Sequence, residues 1–268
     1  MFVMSETASW SDAAVPGRRI GHSIESHAEI GSTSDRARAA LDEPGGEGRA
    51  VVAELQLAGR GRRGRTWLSP PGVNLMVSVA FRPRLAGGRS WWIGAAASLA
   101  VLDAATGLAD LRLKWPNDVV TAGGRKVAGL LLETELSGDE LRAAVVGIGI
   151  NVNWRVTEMP ADLAGAATSL AELAGRTVDR IELLGRLLAA LDREVALVES
   201  GISPLERYRA ASAIDGRLVT VSVGTGRVEG IARGVDDDGS LVVDGADGPH
   251  RIAHGEVVRV RRPEEVTA

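Results

Sequence analysis

Three glycines and four arginines interleave in Gln56-Leu57-Ala58-Gly59-Arg60-Gly61-Arg62-Arg63-Gly64-Arg65-Thr66-Trp67. The arginines fill four of the six positions from 60 to 65, and they repel one another unless an anion sits among them. Guanidinium forks match phosphate oxygens, and glycine lets a backbone approach a ligand closely. A phosphate-bearing ligand that enters and orders the loop is therefore the chemistry this spacing suggests. A solvated basic turn or a nucleic-acid patch is the alternative, and the loop alone leaves both open. Polar groups recur in order on either side: Gly31-Ser32-Thr33-Ser34 upstream, then Lys114-Trp115-Pro116-Asn117-Asp118, Gly124-Arg125-Lys126-Val127-Ala128-Gly129, and Val146-Gly147-Ile148-Gly149-Ile150-Asn151-Val152-Asn153.

These groups need a scaffold. The apolar run Ala50-Val51-Val52-Ala53 just before the loop reads as a buried strand. Ser/Thr caps ahead of an Ala- and Arg-rich stretch predict a helix over 33–41, halted by Pro44-Gly45-Gly46. Further strands are expected at 50–55, 74–81, 111–115, 126–135 and 142–151, and an alanine-dominated helix at 91–106. Gly-containing connections at 122–124 and 137–139 suit hairpins. The centre of the chain thus reads as a mixed, largely antiparallel sheet with helices on one face. Asn117 and Asp118 are expected to end a strand at the Pro116 corner. Over 179–199, Leu184, Leu187, Leu188, Leu191, Val195 and Val198 form one apolar stripe, with Asp179 as N-cap and Gly201 as stop. After Ile214 short β-rich runs and turns such as Asp236-Asp237-Asp238-Gly239 predict a small β-barrel. The aspartates lack the alternating spacing of a calcium loop.

Composition narrows the function. A chain of 268 residues can bury a substantial core. The net charge of −4 argues against a generic polyanion binder, so the positive charge is local to residues 60–65. The absence of cysteine excludes thiol catalysis and disulfide scaffolds. His22, His27, His250 and His254 show no metal-ligand spacing, and no apolar run reaches membrane-spanning length. With no secretory signal visible, a cytoplasmic location and no membrane partner are expected. The domains expected are an unstructured lead-in over 1–18, a catalytic region over 19–213 and the barrel over 214–268.

Taken together and in order, the motifs resemble the biotin protein ligase family, over roughly residues 20 to 262. The resemblance implies a class II synthetase-like catalytic domain followed by an SH3-like barrel. It also implies a two-step reaction with ATP and biotin as substrates and magnesium accompanying ATP. Biotinyl-5′-adenylate forms with release of pyrophosphate, and a lysine of a biotin carboxyl carrier domain of an acyl-CoA carboxylase then takes the biotin. Only about twenty residues precede the catalytic region, so the type without an N-terminal DNA-binding domain is expected, with no direct DNA binding. Monomer and homodimer both remain open.

Carried over motif by motif, the resemblance places Gly59, Arg60, Gly61 and Arg62 on the adenylate and Gln56 near biotin's carboxylate end or tail. Ser32, Thr33 and Ser34 fall on the ureido-binding positions, where the family commonly has Ser-Thr-Asn, so Ser34 departs from the pattern. Lys126 would neutralise the biotin carboxylate and the α-phosphate as they join. Asn117 would contact the adenylate. Asp118 would orient or deprotonate the incoming lysine, or cap the turn. Trp67 packs on adenine or fills core. Gly129 would wall the biotin pocket. Gly149 and Asn151 approach the ligand or serve strand packing. No metal ligands are assigned. The competing enzyme is a lipoate or octanoate ligase, whose signature lacks the arginine run; an RNA-binding use of the loop lacks a platform of several aromatics.

Overall fold

The computed structural model describes residues 9–261. Its larger sheet has the order β1-β2-β3-β7-β6-β5-β4, formed by β1 (Ile24–Ile30), β2 (Ala50–Gln56), β3 (Leu75–Phe81), β4 (Leu111–Lys114), β5 (Asp118–Thr121), β6 (Lys126–Ser137) and β7 (Glu140–Ile150). Only β1 and β2 run parallel; the other pairs are antiparallel. Strands β2, β3 and β7 are buried along most of their length, and side-chain alternation divides their residues between two faces.

One face carries the large helices α2 (Ser90–Ala104) and α5 (Arg180–Glu199), which pack on each other. Their small alanines allow close approach, and the expected α5 stripe from Leu184 to Val198 is buried. Each such aliphatic side chain contributes about 1.5–3 kcal/mol relative to exposure. Asp179 accepts from the N–H groups of Ile181 and Glu182, as an N-cap should. The expectation of helices on one face holds for these long helices. The short α1 (Thr33–Ala40) is the exception: with Ala37 and Leu41 it covers Val51, Ala80 and Val145 on the opposite face.

The structure corrects several expectations. Within residues 9–18 of the supposed unstructured lead-in, a short 3-10 turn over Trp10–Ala13 docks on the domain although most of the segment is exposed. Trp10 Nε1 donates to Glu54 at 3.0 Å, Arg180 lies 5.0 Å from the Trp10 ring centre, and Ala13 is buried; residues 1–8 lie outside the described residues. The indole, partly buried carboxylate and guanidinium form one local cluster that the polar composition of the segment conceals. Asn117 and Asp118 do not end a strand: they follow the corner after β4, and Asp118 opens β5 opposite Lys114. Strands β1 and β5 were not anticipated, because β1 is polar in its middle and β5 is only four residues long.

Between β7 and α5 lie the short helices α3 (Ala161–Ala164) and α4 (Leu170–Ala174), and α6 (Leu205–Ala210) follows α5. The C-terminal part is a five-stranded antiparallel sheet in the order β11-β10-β9-β8-β12, made of β8 (Leu218–Val223), β9 (Gly226–Val235), β10 (Leu241–Gly245), β11 (Gly248–Ile252) and β12 (Glu256–Arg261). Its apolar face is continuous with the main core, and among the described residues no hydrogen-bonded pairing joins β11 to β12. The Asp236–Gly239 segment is the hairpin turn expected, and tryptophans of the larger domain grip it. Trp115 Nε1 donates to the Gly239 carbonyl at 2.9 Å and Trp92 Nε1 to that of Asp237 at 3.3 Å.

Candidate active site

A cavity of about 330 Å³ opens over the β6–β7 face, bounded by the start of α1, the arginine loop, the Asn117–Asp118 corner and the segment 154–167. Along the chain from β7, Gly147, Gly149 and Asn151 are alternate residues that face it, spaced by about 7 Å per step. Each step meets a different chemistry.

At the first step the surroundings are hydroxylic. A Cβ on Gly147 would stand 2.8 Å from Ser34 Oγ, so the glycine leaves room for that hydroxyl. Ser34 Oγ is 3.0 Å from Ser78 Oγ, which is 2.8 Å from Thr33 Oγ1. Gln56 Oε1, at the end of β2, accepts from both the backbone N–H and the hydroxyl of Thr33. Ser32 caps α1 by accepting from the Asp35 N–H. The parallel pairing of β1 with β2, which sets Ile30 opposite Gln56, brings the start of α1 to the end of β2.

The second step belongs to Trp67 and Lys126. Gly149 pairs with Gly129 across β6–β7, and the indole of Trp67 lies on both. A Cβ on Gly149 would come within 2.5 Å of Trp67 Cε2, and one on Gly129 within 2.8 Å of Lys126 Nζ. Lys126 Nζ is 5.5 Å from the Trp67 ring centre and 2.6 Å from Asp118 Oδ1. The Trp67 Nε1 proton is buried with no partner among the described residues. Asn117 is tied to β6 by its Nδ2, which donates to the Leu130 carbonyl at 2.6 Å.

The third step is a wall. Asn151 Nδ2 donates to the Thr168 carbonyl, Lys126 N–H donates to Ala166 O, and Thr168 N–H donates back to Lys126 O. This clasp holds Trp154, Met159 and Ala167 together as a separate apolar cluster beside the cavity. Asn151 thus lines the cavity while its side-chain N–H fastens the wall.

The arginine loop closes on itself through Gly61 N–H to Arg65 O and Trp67 N–H to Gly59 O, with Arg63 in the left-handed region at φ 57°. Its four arginines are not equally engaged. Arg60 forms a two-pronged pair with Asp35 at 2.7 and 2.6 Å, which holds the Asp35 carboxyl below its usual range. Arg65 reaches Glu256 at 2.7 Å, and Arg63 reaches the same carboxylate at 3.7 Å. Arg62 faces the cavity with no carboxylate at ion-pair distance among the described residues; its one bond is to Gly255 O at 3.3 Å. Burial, and then the neighbouring Arg63, push its pKa down. An incoming anion relieves both penalties.

The residues expected at a site therefore converge with one exception. Ser32, Thr33, Ser34, Gln56, Arg60, Gly61, Arg62, Trp67, Asn117, Asp118, Lys126, Gly129, Gly149 and Asn151 all line the cavity. Gly59 does not: it sits behind Trp67, where its lack of a side chain lets the loop close against the Trp67 carbonyl. Sequence reasoning missed Ser78, although a lone serine inside the apolar strand Leu75–Phe81 was a visible signal. It also missed the 154–167 wall, whose residues carry no pattern of their own.

Residues 32–151 match the Biotin/lipoate A/B protein ligase family, and residues 216–260 match the Biotin protein ligase C terminal domain. The biotin--[acetyl-CoA-carboxylase] ligase of Mycobacterium tuberculosis is 36% identical over 87% of this chain and 88% of its own length. The chain belongs to the biotin protein ligase family. The ligase of the same name from Paracoccus denitrificans is 38% identical over 84% of this chain and 96% of its own. The biotin protein ligase of Aquifex aeolicus, solved in complex with biotin and ATP, superposes with a TM-score of 0.73 at 31% identity, over 89% of this chain and 98% of that one. Within a biotin protein ligase of this kind, the contacts of Arg62, Arg63 and Arg65 with Gly255, Ser222 and Glu256 join the arginine loop to the C-terminal sheet.

Proposed function

We propose that this chain is an ATP-dependent biotin–[acetyl-CoA-carboxylase] ligase whose reaction runs in the cavity over Gly147, Gly149 and Asn151. The observation that carries this reading is one cleft that brings together a hydroxyl cluster fit for a polar ring, a lysine beside a glycine pair, and an arginine with no carboxylate at ion-pair distance among the described residues. An acid with a polar head and a nucleotide need these groups in one cleft.

In the first step a biotin carboxylate oxygen bonds to the α-phosphorus of ATP and pyrophosphate leaves, giving the mixed anhydride. Two anions approach each other, and Lys126 offsets their repulsion as the bond forms. Arg62, relieved of its burial penalty by the phosphate, orders the loop over the intermediate and limits water. Asp118 holds the Lys126 ammonium before the substrates arrive. In the second step a carrier lysine, having lost its proton, attacks the anhydride carbonyl; AMP leaves and an amide forms. The ring of Trp67 and the 154–167 wall flank the nucleotide.

Magnesium has no cage here: no group of three or more His, Asp or Glu gathers among the described residues, and Asp118 is the single carboxylate lining the cavity. An ion carried by phosphate oxygens and water fits this donor set, and it supplies charge neutralisation on the triphosphate. The partner in this reading is a biotin carboxyl carrier domain of an acyl-CoA carboxylase, with no direct DNA binding. None of the described helices is long and apolar enough to cross a membrane, and the reading places the reaction in the cytoplasm.

The test is exchange of labelled pyrophosphate into ATP, run with biotin, lipoate and octanoate in parallel. Exchange with biotin alone is expected. Exchange with lipoate or octanoate in its place moves the chain to the sister activity, and no exchange with any acid ends the ligase reading.

A further inference from the structure

A single backbone N–H sets the direction of a run of hydrogen bonds on the cavity wall. Thr33 N–H donates to Gln56 Oε1 at 2.9 Å. A peptide N–H cannot accept, so the Gln56 atom facing it is the carbonyl oxygen. Thr33 Oγ1 lies 3.0 Å from that same oxygen, which has no proton to give, so the threonine hydroxyl donates. Thr33 has then spent its only side-chain proton. In its 2.8 Å contact with Ser78 Oγ the donor must be Ser78. Ser78 is now spent too, and across 3.0 Å the donor must be Ser34. The run is therefore directed from Ser34 to Ser78 to Thr33 to Gln56. All three hydroxyl residues are buried, with Ser78 only 1% exposed, so reversing any one bond leaves a largely desolvated oxygen without its donor.

Ser34 Oγ consequently meets the cavity with lone pairs only. Turning its proton into the cavity gives up the bond to Ser78 and strands a buried oxygen. Gly147 keeps the space beside Ser34 Oγ open, since a Cβ there would stand 2.8 Å away. We propose that Ser78 is a specificity-determining positioning residue: through the directed hydroxyl run it makes Ser34 an obligate acceptor, so the site selects a ring that presents an N–H at this point. The inference rests on the biotin reading, in which the ureido ring supplies that N–H. It gives a physical reason for rejecting the dithiolane of lipoate and the chain of octanoate, neither of which has a donor to offer. It also accounts for a short residue at position 34: the serine completes a proton-ordered run, which an amide carrying both donor and acceptor does not need.

The experiment is calorimetric binding to the full chain of biotin and of the two cyclic carbamates in which one ring N–H or the other is replaced by oxygen. The exchange is nearly isosteric and turns a donor into an acceptor. In the wild type the carbamate whose oxygen faces Ser34 is expected to bind about ten- to a hundredfold more weakly than biotin. In Ser78→Ala the Ser34 proton is free to turn, and the penalty should shrink to about threefold or less. Ser34→Ala should shrink it similarly, and carries the test if Ser78→Ala does not fold. The ratio compares two ligands on one protein, so general loosening of β3 does not move it. Equal binding of biotin and both carbamates to the wild type, or a penalty unchanged in both variants, overturns the inference while leaving the ligase reading intact. Failure of folded wild type to bind biotin at all overturns that reading, and the inference with it.

Discussion

Lys126 and Arg62 both line the cavity, and their surroundings prepare them differently. Lys126 is held by Asp118 at 2.6 Å beside two glycines, whereas Arg62 is half-buried with no carboxylate at ion-pair distance among the described residues. Replacing Lys126 by alanine should slow biotin-dependent pyrophosphate exchange by about a hundred- to a thousandfold, the usual cost of removing one preorganised charge from a transition state. Arginine at the same position should not restore it, because the planar fork does not fit between Gly129 and Asp118 as a compact ammonium does. Arg62→Ala should instead leave adenylate formation measurable and raise release of the intermediate into solution, seen by trapping it with free amines. Away from the cavity, Glu25 shows what ion pairing does for the scaffold. Burial alone raises its pKa, but hydrogen bonds from Arg36, His27 and Arg49 outweigh this and hold it at about 2, below an ordinary 4.5. The group binds fewer protons folded than unfolded, so its contribution is complete above pH 4.5 and fades as pH falls toward 2. Allowing for solvent screening, it amounts to about 1–2 kcal/mol. The melting-temperature gap between wild type and Glu25→Gln should thus be wide at pH 7 and narrow at pH 3.

At the scale of elements, β7 is the ruler of the site. Its Gly-Ile-Gly-Ile register buries the isoleucines on the helix side and leaves the glycines bare beneath Ser34 and Trp67. Gly149 is not in the left-handed region, so an alanine there suits the strand and its only fault is the indole above it. Gly149→Ala should therefore displace Trp67 and cost about 1–3 kcal/mol of stability, with weakened ATP binding. Combining it with Trp67→Ala should remove most of the stability penalty of Gly149→Ala. Additive penalties in a thermal double-mutant cycle would refute the stacking described here.

At the scale of the whole molecule, the C-terminal sheet shares the main core, and two polar contacts also fasten it to the catalytic layer near the site. One is the tryptophan grip on the turn at Gly239; the other is the contact of the arginine loop with Gly255 and Glu256. The Arg65–Glu256 pair is partly exposed and contributes little by itself. The grip is different, because a side chain on Gly239 would run into the ring of Trp91. Gly239 and Gly224 both sit in the left-handed region, at φ 83° and 55°, but Gly224 has open space around it. Gly224→Ala should cost about 1–2 kcal/mol, for backbone conformation alone. Gly239→Ala should cost more, and should lower the exchange rate as well, since the sheet that steadies the arginine loop shifts with the turn. Paired melting curves and exchange assays on the two variants check this.

Much of the site was legible before any fold was known, because the chemistry constrains residue type and local spacing. Four arginines among glycines, the Gly31–Ser34 run, Asn117–Asp118 and Lys126 are short-range signals, and all of these motifs contribute to the cavity wall. The α5 helix was equally plain, since a 3.6-residue apolar stripe with an aspartate cap has few other meanings. What the sequence could not tell is what each charged or polar group spends its bonds on. Nothing local says that Arg60 is occupied by Asp35 while Arg62 meets no carboxylate among the described residues, that Asn151 clasps a wall, or that Gly59 lies behind Trp67. Residues 9–18 looked unstructured because their partners, Glu54 and Arg180, lie more than forty positions along the chain. Ser78 needed Thr33 and Ser34 brought to it across 45 and 44 positions before its hydroxyl had a role. Composition and spacing decided which chemistry this chain carries. Only tertiary structure decided the direction of each hydrogen bond and the partner of each charge, because those depend on distances between segments that no local pattern encodes.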